Sequence, residues 1–179
     1  NLNTKYLPDY LLDENLTATS NIEDIRSSLF ILVCVPSNSF KEVLTKAIQH
    51  INPDAFLISA TKGIEEEGFL LMSQILENET KGHDIGVISG PNLAQEISLN
   101  QLTGTVIASK SRALQDECIK VFSSDSFRLY TNDDPYGVEL GGALKNIYAI
   151  ACGIADGLDS GENTVGMIMT RGLAEMSRF

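Results

Sequence analysis

Between residues 29 and 131 the chain alternates short apolar runs with stretches in which apolar side chains recur every three or four positions. The run LFILVCV (29–35) is continuous and β-branched, which predicts a strand buried on both faces, and AFLISA (55–60) predicts a second. IGVIS (85–89), GTVIAS (104–109) and FRLYT (127–131) predict three more strands. The segments between them predict helices. One is capped by Ser39 and runs through His50, with Phe40, Val43, Leu44, Ala47 and Ile48 on a single stripe. A second spans about Gly68 to Asn78, a short third is opened by Pro91 and runs to about Leu99, and a fourth covers 112–122. Strand–helix alternation predicts an α/β fold, a mainly parallel sheet with helices on both sides. After Asp133 the pattern changes to two helices, 136–158 and 163–178, with no strand between them. The expected boundary therefore divides a sheet domain, 1–135, from the first helices of an α-helical domain, 136–179.

Composition narrows the function. Hydrophobic residues make up 43% and charged residues 21% of the 179, an ordinary globular balance. The net charge of −11 argues against a nucleic-acid partner, which needs a basic surface, but leaves room for a small anion in a local positive pocket. Three cysteines without CxxC spacing fit a reduced, cytoplasmic protein, and the two isolated histidines predict no metal site. No apolar run approaches the roughly 18–20 residues of a membrane span, and the start has no signal-peptide character. The chain starts without methionine and stops inside an apparent helix, as expected of an internal piece of a longer protein.

In a parallel sheet the carboxyl ends of the strands share one edge, where ligands bind. Three consecutive strands end in VPS (35–37), ATKG (60–63) and SGPN (89–92). Taken singly, Pro36 and Pro91 set strand exits, and Gly63 and Gly90 supply turn geometry. Together they suggest an anion site. Pro91 at a first helical position leaves the N–H groups of Asn92, Leu93 and Ala94 at an open helix end, and Lys62 stands on the same edge, suited to a phosphate or a carboxylate. The EEE at 65–67 reads as a solvated helix entrance and the DD at 133–134 as capping.

The helix VELGGALKNIYAIACGIADGL (138–158) is apolar almost all round, yet carries Lys145 and Asn146 in its middle. Leu140, Leu144, Ile147, Ala151 and Ile154 form an expected core stripe, while Gly141 and Gly142 lie below Lys145. Two readings stand. Another helix packs on the glycines and Lys145 snorkels to water. Alternatively the glycines open a floor for a ligand, and Lys145, partly desolvated, has its pKa lowered towards proton transfer, with Asn146 orienting a polar group.

The motifs ILVCVPSNSF, ISATKGIE, VISGPNLAQEI, GVELGGALKNIYAIACGIADGL and TRGLAEMSR, in this order, resemble the NAD(P)-dependent glycerol-3-phosphate dehydrogenases of the bacterial type, from about YLPD to the last residue. The resemblance implies a Rossmann-type sheet and a helical substrate domain. It implies NAD or NADP as cofactor, glycerol 3-phosphate and dihydroxyacetone phosphate as the small-molecule substrates, a role in phospholipid synthesis and a homodimer. By the same resemblance Lys145 carries the proton of the C2 hydroxyl and Lys62 binds substrate near the cofactor. Gly90 and Asn92 match the substrate-contacting turn, Ala94 matches a position that meets the cofactor, and Asn146 is a polar partner to the substrate. Asn92, Leu93, Gln95 and Asn38 depart from the family's usual residues. The glycine-rich turn that cradles the cofactor pyrophosphate is expected upstream of residue 1, and an Arg-Asn segment for the substrate phosphate beyond Phe179, so the piece alone is expected to be inactive. The alternatives are another two-domain dehydrogenase acting on hydroxy acids or sugar acids, and a non-catalytic relic of the fold.

Overall fold

The computed structural model describes residues 2–178. A small hairpin comes first, β1 (Leu2–Asn3) against β2 (Leu7–Leu11), outside the main sheet. The main run is β3 (Phe30–Val33), α1 (Ser37–Ala47), β4 (Phe56–Ser59), α2 (Met72–Glu79), β5 (Ile85–Ser89), α3 (Ala94–Ser98), β6 (Thr103–Ser109), α4 (Arg112–Phe122) and β7 (Phe127–Asn132). Two helices close the chain, α5 (Pro135–Gly157) and α6 (Glu162–Met176).

The five strands lie in the order β3-β4-β5-β6-β7, parallel except for the antiparallel β5–β6 pair. Between Ser89 and Thr103 the chain forms only the five-residue α3, and β6 comes back antiparallel. The carboxyl ends of β3, β4 and β5 therefore share an edge with the start of β6, and Ser89 sits opposite Val106. One core cluster packs α1 and α2 on the sheet through Phe40, Leu44, Leu57, Met72, Ile75 and Leu76. The other packs α4 on the opposite face through Ile58, Ile107, Leu114 and Cys118. The mainly parallel α/β architecture expected from the alternation is what the chain adopts.

Several local expectations are corrected. α1 begins at Ser37, with Pro36 as its N-cap, so Ser39 lies inside the helix and its N–H bonds back to the Pro36 carbonyl at 2.9 Å. α2 begins at Met72 rather than near Gly68, because 64–71 closes as a turn: Ile64 bridges Leu71, the Glu65 carboxylate accepts from Gly68 N at 2.6 Å, and Phe69 takes φ 54°. Glu65 is thus a turn residue rather than part of a helix entrance. Pro91 does not open α3. The Asn92 N–H bonds to the Gly90 carbonyl at 3.0 Å, Leu93 is extended, and helix starts at Ala94. The expected open helix end with three free N–H groups is absent there. β3 is not buried on both faces either. Among the described residues it is an outermost strand of the sheet; Phe30 meets Phe122 of α4 edge to face at 6.0 Å between ring centroids, while Leu32 is 43% exposed.

α5 departs furthest from the pattern. Of its expected core stripe, Ile147 and Ile154 are 60% and 58% exposed, and the face it buries holds Glu139, Gly142 and Ala155. By length and composition α5 is apolar enough to cross a membrane, 23 residues with mean hydropathy 1.2, where no such run was expected. It instead packs on β5, β6, α2 and α6.

Candidate functional site

α5 runs antiparallel to α2. Tyr136 donates to Glu77 at 2.7 Å near the end of α2, and Glu139 meets Met72 and Ser73 at its start. Climbing that face, α5 reaches the carboxyl end of β5 at Gly142. A Cβ built there would stand 2.5 Å from Ser89 Oγ, so only a hydrogen lets the helix settle this close to the strand. At Gly141, in contrast, a Cβ would meet nothing within 4 Å. Gly142 thus packs on a strand rather than on the helix of the first reading, and Gly141 faces open space.

That space belongs to an open cleft of about 340 Å³ between the edge of the sheet and α5. Ser89, Gly90, Pro91 and Val106 form one wall and Val138, Gly141 and Lys145 the other. Gly90 has its own steric reason, since a Cβ would fall 2.7 Å from Thr105 Oγ1 and 3.0 Å from Thr105 Cα on the neighbouring strand. Lys62, from the loop after β4, comes to the margin of the cleft, its Cε 4.0 Å from the Cβ position of Gly142. Burial holds the Lys62 pKa below the ordinary lysine value, and the like charge of Lys145 lowers it further. Lys62 and Lys145 are both exposed at the rim of the cleft.

Lys62, Gly90 and Lys145 therefore converge, while the other three candidates lie outside the wall of this cleft. Asn92 turns towards β6, its Nδ2 donating to Thr105 Oγ1 at 3.1 Å and its Oδ1 buried with no hydrogen-bond partner. Ala94 is the exposed first residue of α3, and Asn146 is exposed on α5. The sequence reading passes over Glu139 and Ser89. Glu139 had a signal, a carboxylate in the same apolar helix that raised the question of Lys145. Ser89 had none, because its part depends on α5 crossing β5.

The residues fit the reactive end of a nicotinamide cofactor rather than its phosphates. The cleft walls are carbon-rich apart from the Ser89 hydroxyl and the Lys145 ammonium, and Gly141 leaves open space beside them. The turn after β5 has its Asn92 N–H already bound and offers little to a pyrophosphate.

A largely parallel sheet crossed at its ligand edge by a lysine-bearing helix defines the class of α/β dinucleotide-fold proteins with a helical second region. The family model described as NAD-dependent glycerol-3-phosphate dehydrogenase N-terminus matches residues 1–115, and that for the C-terminus matches 134–179. The chain belongs to the NAD-dependent glycerol-3-phosphate dehydrogenase family. It is 53% identical to a glycerol-3-phosphate dehydrogenase [NAD(P)+] of Saccharophagus degradans, covering 99% of this chain and 50% of the relative. A protein of the same name from Teredinibacter turnerae is 52% identical, with 99% and 52% covered. Among solved structures, glycerol-3-phosphate dehydrogenase from Coxiella burnetii superposes with a TM-score of 0.93 at 38% identity, over 99% of this chain and 55% of that one. The Dunaliella salina enzyme gives 0.90 at 32% identity, over 99% and 34%. The chain spans about half the length of the curated relatives it matches.

Proposed function

We propose that the full protein interconverts dihydroxyacetone phosphate and glycerol 3-phosphate using NAD(H) or NADP(H), with its reaction centre in the cleft between β5 and α5. The observation that carries this reading is the convergence of Lys62 and Lys145 on a glycine-lined cleft. Two ammonium groups this close repel, and an anionic substrate relieves that repulsion as it binds. A nicotinamide held in the cleft would supply hydride to the carbonyl carbon. Lys145 gives its Nζ proton to the carbonyl oxygen as that oxygen gains charge, and takes it back in the reverse direction. Lys62 neutralises substrate charge. Gly90 and Gly141 keep side chains out of the cleft. Asn92 and Asn146 assist at the substrate and Ala94 at the cofactor, roles supported by the matching motifs.

With this reading go the division of the chain near residue 135 into dinucleotide-binding and substrate domains, supported by the loss of strand–helix alternation there. A cytoplasmic homodimer feeding phospholipid synthesis follows from the family resemblance, and three cysteines without paired spacing agree with a reducing compartment. The test is oxidation of NADH and NADPH by the full-length protein with dihydroxyacetone phosphate, against dihydroxyacetone and a panel of hydroxy-acid precursors. Turnover that requires the phosphorylated ketone supports the reading. A folded protein that ignores it with both cofactors, or prefers an oxo acid, overturns it.

A further inference from the structure

Glu139 is the deepest charged group in the molecule's described part, 3% exposed, and lies six residues before Lys145 on α5. Its carboxylate accepts from Met72 N at 2.9 Å, from Ser73 N at 3.2 Å and from Ser73 Oγ at 2.5 Å. These are the first N–H groups of α2, donors that a helix cannot satisfy internally. The N-cap residue of α2 is Leu71, whose side chain has no acceptor, while Gln74 supplies the other half of a capping box by receiving the Leu71 N–H at 2.9 Å. The missing acceptor is therefore provided by a helix more than sixty residues away in sequence. One turn earlier on α5, Tyr136 donates to Glu77 one turn further along α2, so the two helices are joined at two levels.

We propose that Glu139 is a positioning residue for the dehydrogenase site: it docks α5 on the start of α2 and thereby sets the height and rotation at which Lys145 meets the edge of the sheet. Gly142, halfway between them, is pressed on Ser89, so a helix released at Glu139 would slide or turn about that contact and carry Lys145 with it. Glu139 joins the Tyr136–Glu77 bond and the Gly142–Ser89 contact in fixing the rotation of α5, and it is the buried one of the two polar links. The buried carboxylate is directional where the surrounding apolar contacts are not.

The proposal rests on the dehydrogenase reading for its kinetic readout and is independent of it for its structural one. In the full-length protein, Glu139→Gln keeps an acceptor and the side-chain shape, Glu139→Ala removes both, and Ser73→Ala removes one donor. Turnover of dihydroxyacetone phosphate and amide hydrogen exchange over 72–76 and 139–146 are measured in each. Glu139→Ala is expected to remain folded by circular dichroism, to exchange faster in both segments and to lose at least tenfold in kcat. The KM for reduced cofactor should stay within twofold, with Glu139→Gln recovering most of the loss. Unchanged kcat in a folded Glu139→Ala, or loss of stability with kcat intact at low temperature, overturns the proposal. If Glu139→Ala fails to fold, Glu139→Gln and Ser73→Ala decide by the same kinetic split. If the wild type shows no turnover, the dehydrogenase reading fails, and exchange at 139–146 alone decides whether the clasp holds the Lys145 segment.

Discussion

The sheet region and the α5–α6 pair bury their surfaces in opposite ways. In the sheet, Leu57 and Ile58 sit on opposite faces of β4, each closed over by helices. α5 is more apolar along its length than any strand-flanking helix here, yet Ile150 is 64% exposed and the residues it presses on the sheet region are a carboxylate and a glycine. Within this chain, which spans about half the length of its relatives, the sheet region is held mostly by apolar area, and α5 meets it through the directional Glu139 and Gly142 contacts beside its apolar packing. Apolar burial tolerates small shifts, whereas hydrogen bonds to the start of α2 and a glycine against a strand do not.

The contrast can be broken by substitution. Leu57→Ala removes a fully buried side chain from the α1–α2 side of the sheet and should cost about 2–5 kcal/mol in denaturant unfolding. Gly142→Ala gains helix propensity but drives a methyl into Ser89, so a net loss of about 1–3 kcal/mol is expected. Gly141→Ala, one residue away, meets open space and should stabilise by up to about 1 kcal/mol while raising the KM for whatever occupies the cleft. In this chain by itself, which spans about half the length of its relatives, Ile150→Ala should lie within about 0.5 kcal/mol of the parent. A cost for Ile150→Ala equal to that for Leu57→Ala would erase the distinction between the regions.

The pH dependence sharpens the same comparison at the cleft. Because the folded state disfavours the charged form of Lys62, its proton leaves below the ordinary lysine value of 10.5. Folding is opposed by this group while it stays charged, and that opposition fades as pH rises from its folded pKa towards 10.5. Affinity for glycerol 3-phosphate should accordingly fall on the alkaline side at a lower pH than a free lysine would give. In Lys145→Met, which removes the like charge, calorimetric titration should find that limb moved to higher pH.

How much of this was legible follows from the range of the interactions. The strands and the α/β class come from local periodicity, and the carboxyl-edge location of Lys62 and Gly90 follows from parallel pairing. Lys145 was visible as a charge out of place. The starts of α1 and α2 were misplaced because Pro36 and the 64–71 turn take over capping from the expected residues. The face α5 buries was not legible, since a helix apolar all round carries no preferred side and the choice is made by Glu139 and Gly142 finding partners distant in sequence. The antiparallel return of β6 was not legible, because Gly90 and Pro91 resemble a helix entrance while the chain forms only the five-residue α3.

The most direct test of the central claim is the kcat of full-length Lys145→Met with dihydroxyacetone phosphate and reduced cofactor, followed by loss of nicotinamide absorbance. With Lys145 as the proton carrier, kcat should fall by about 10²–10⁴-fold while the protein stays folded and still binds cofactor. Turnover within a few-fold of wild type would mean that Lys145 merely reaches solvent and that the proton is carried elsewhere.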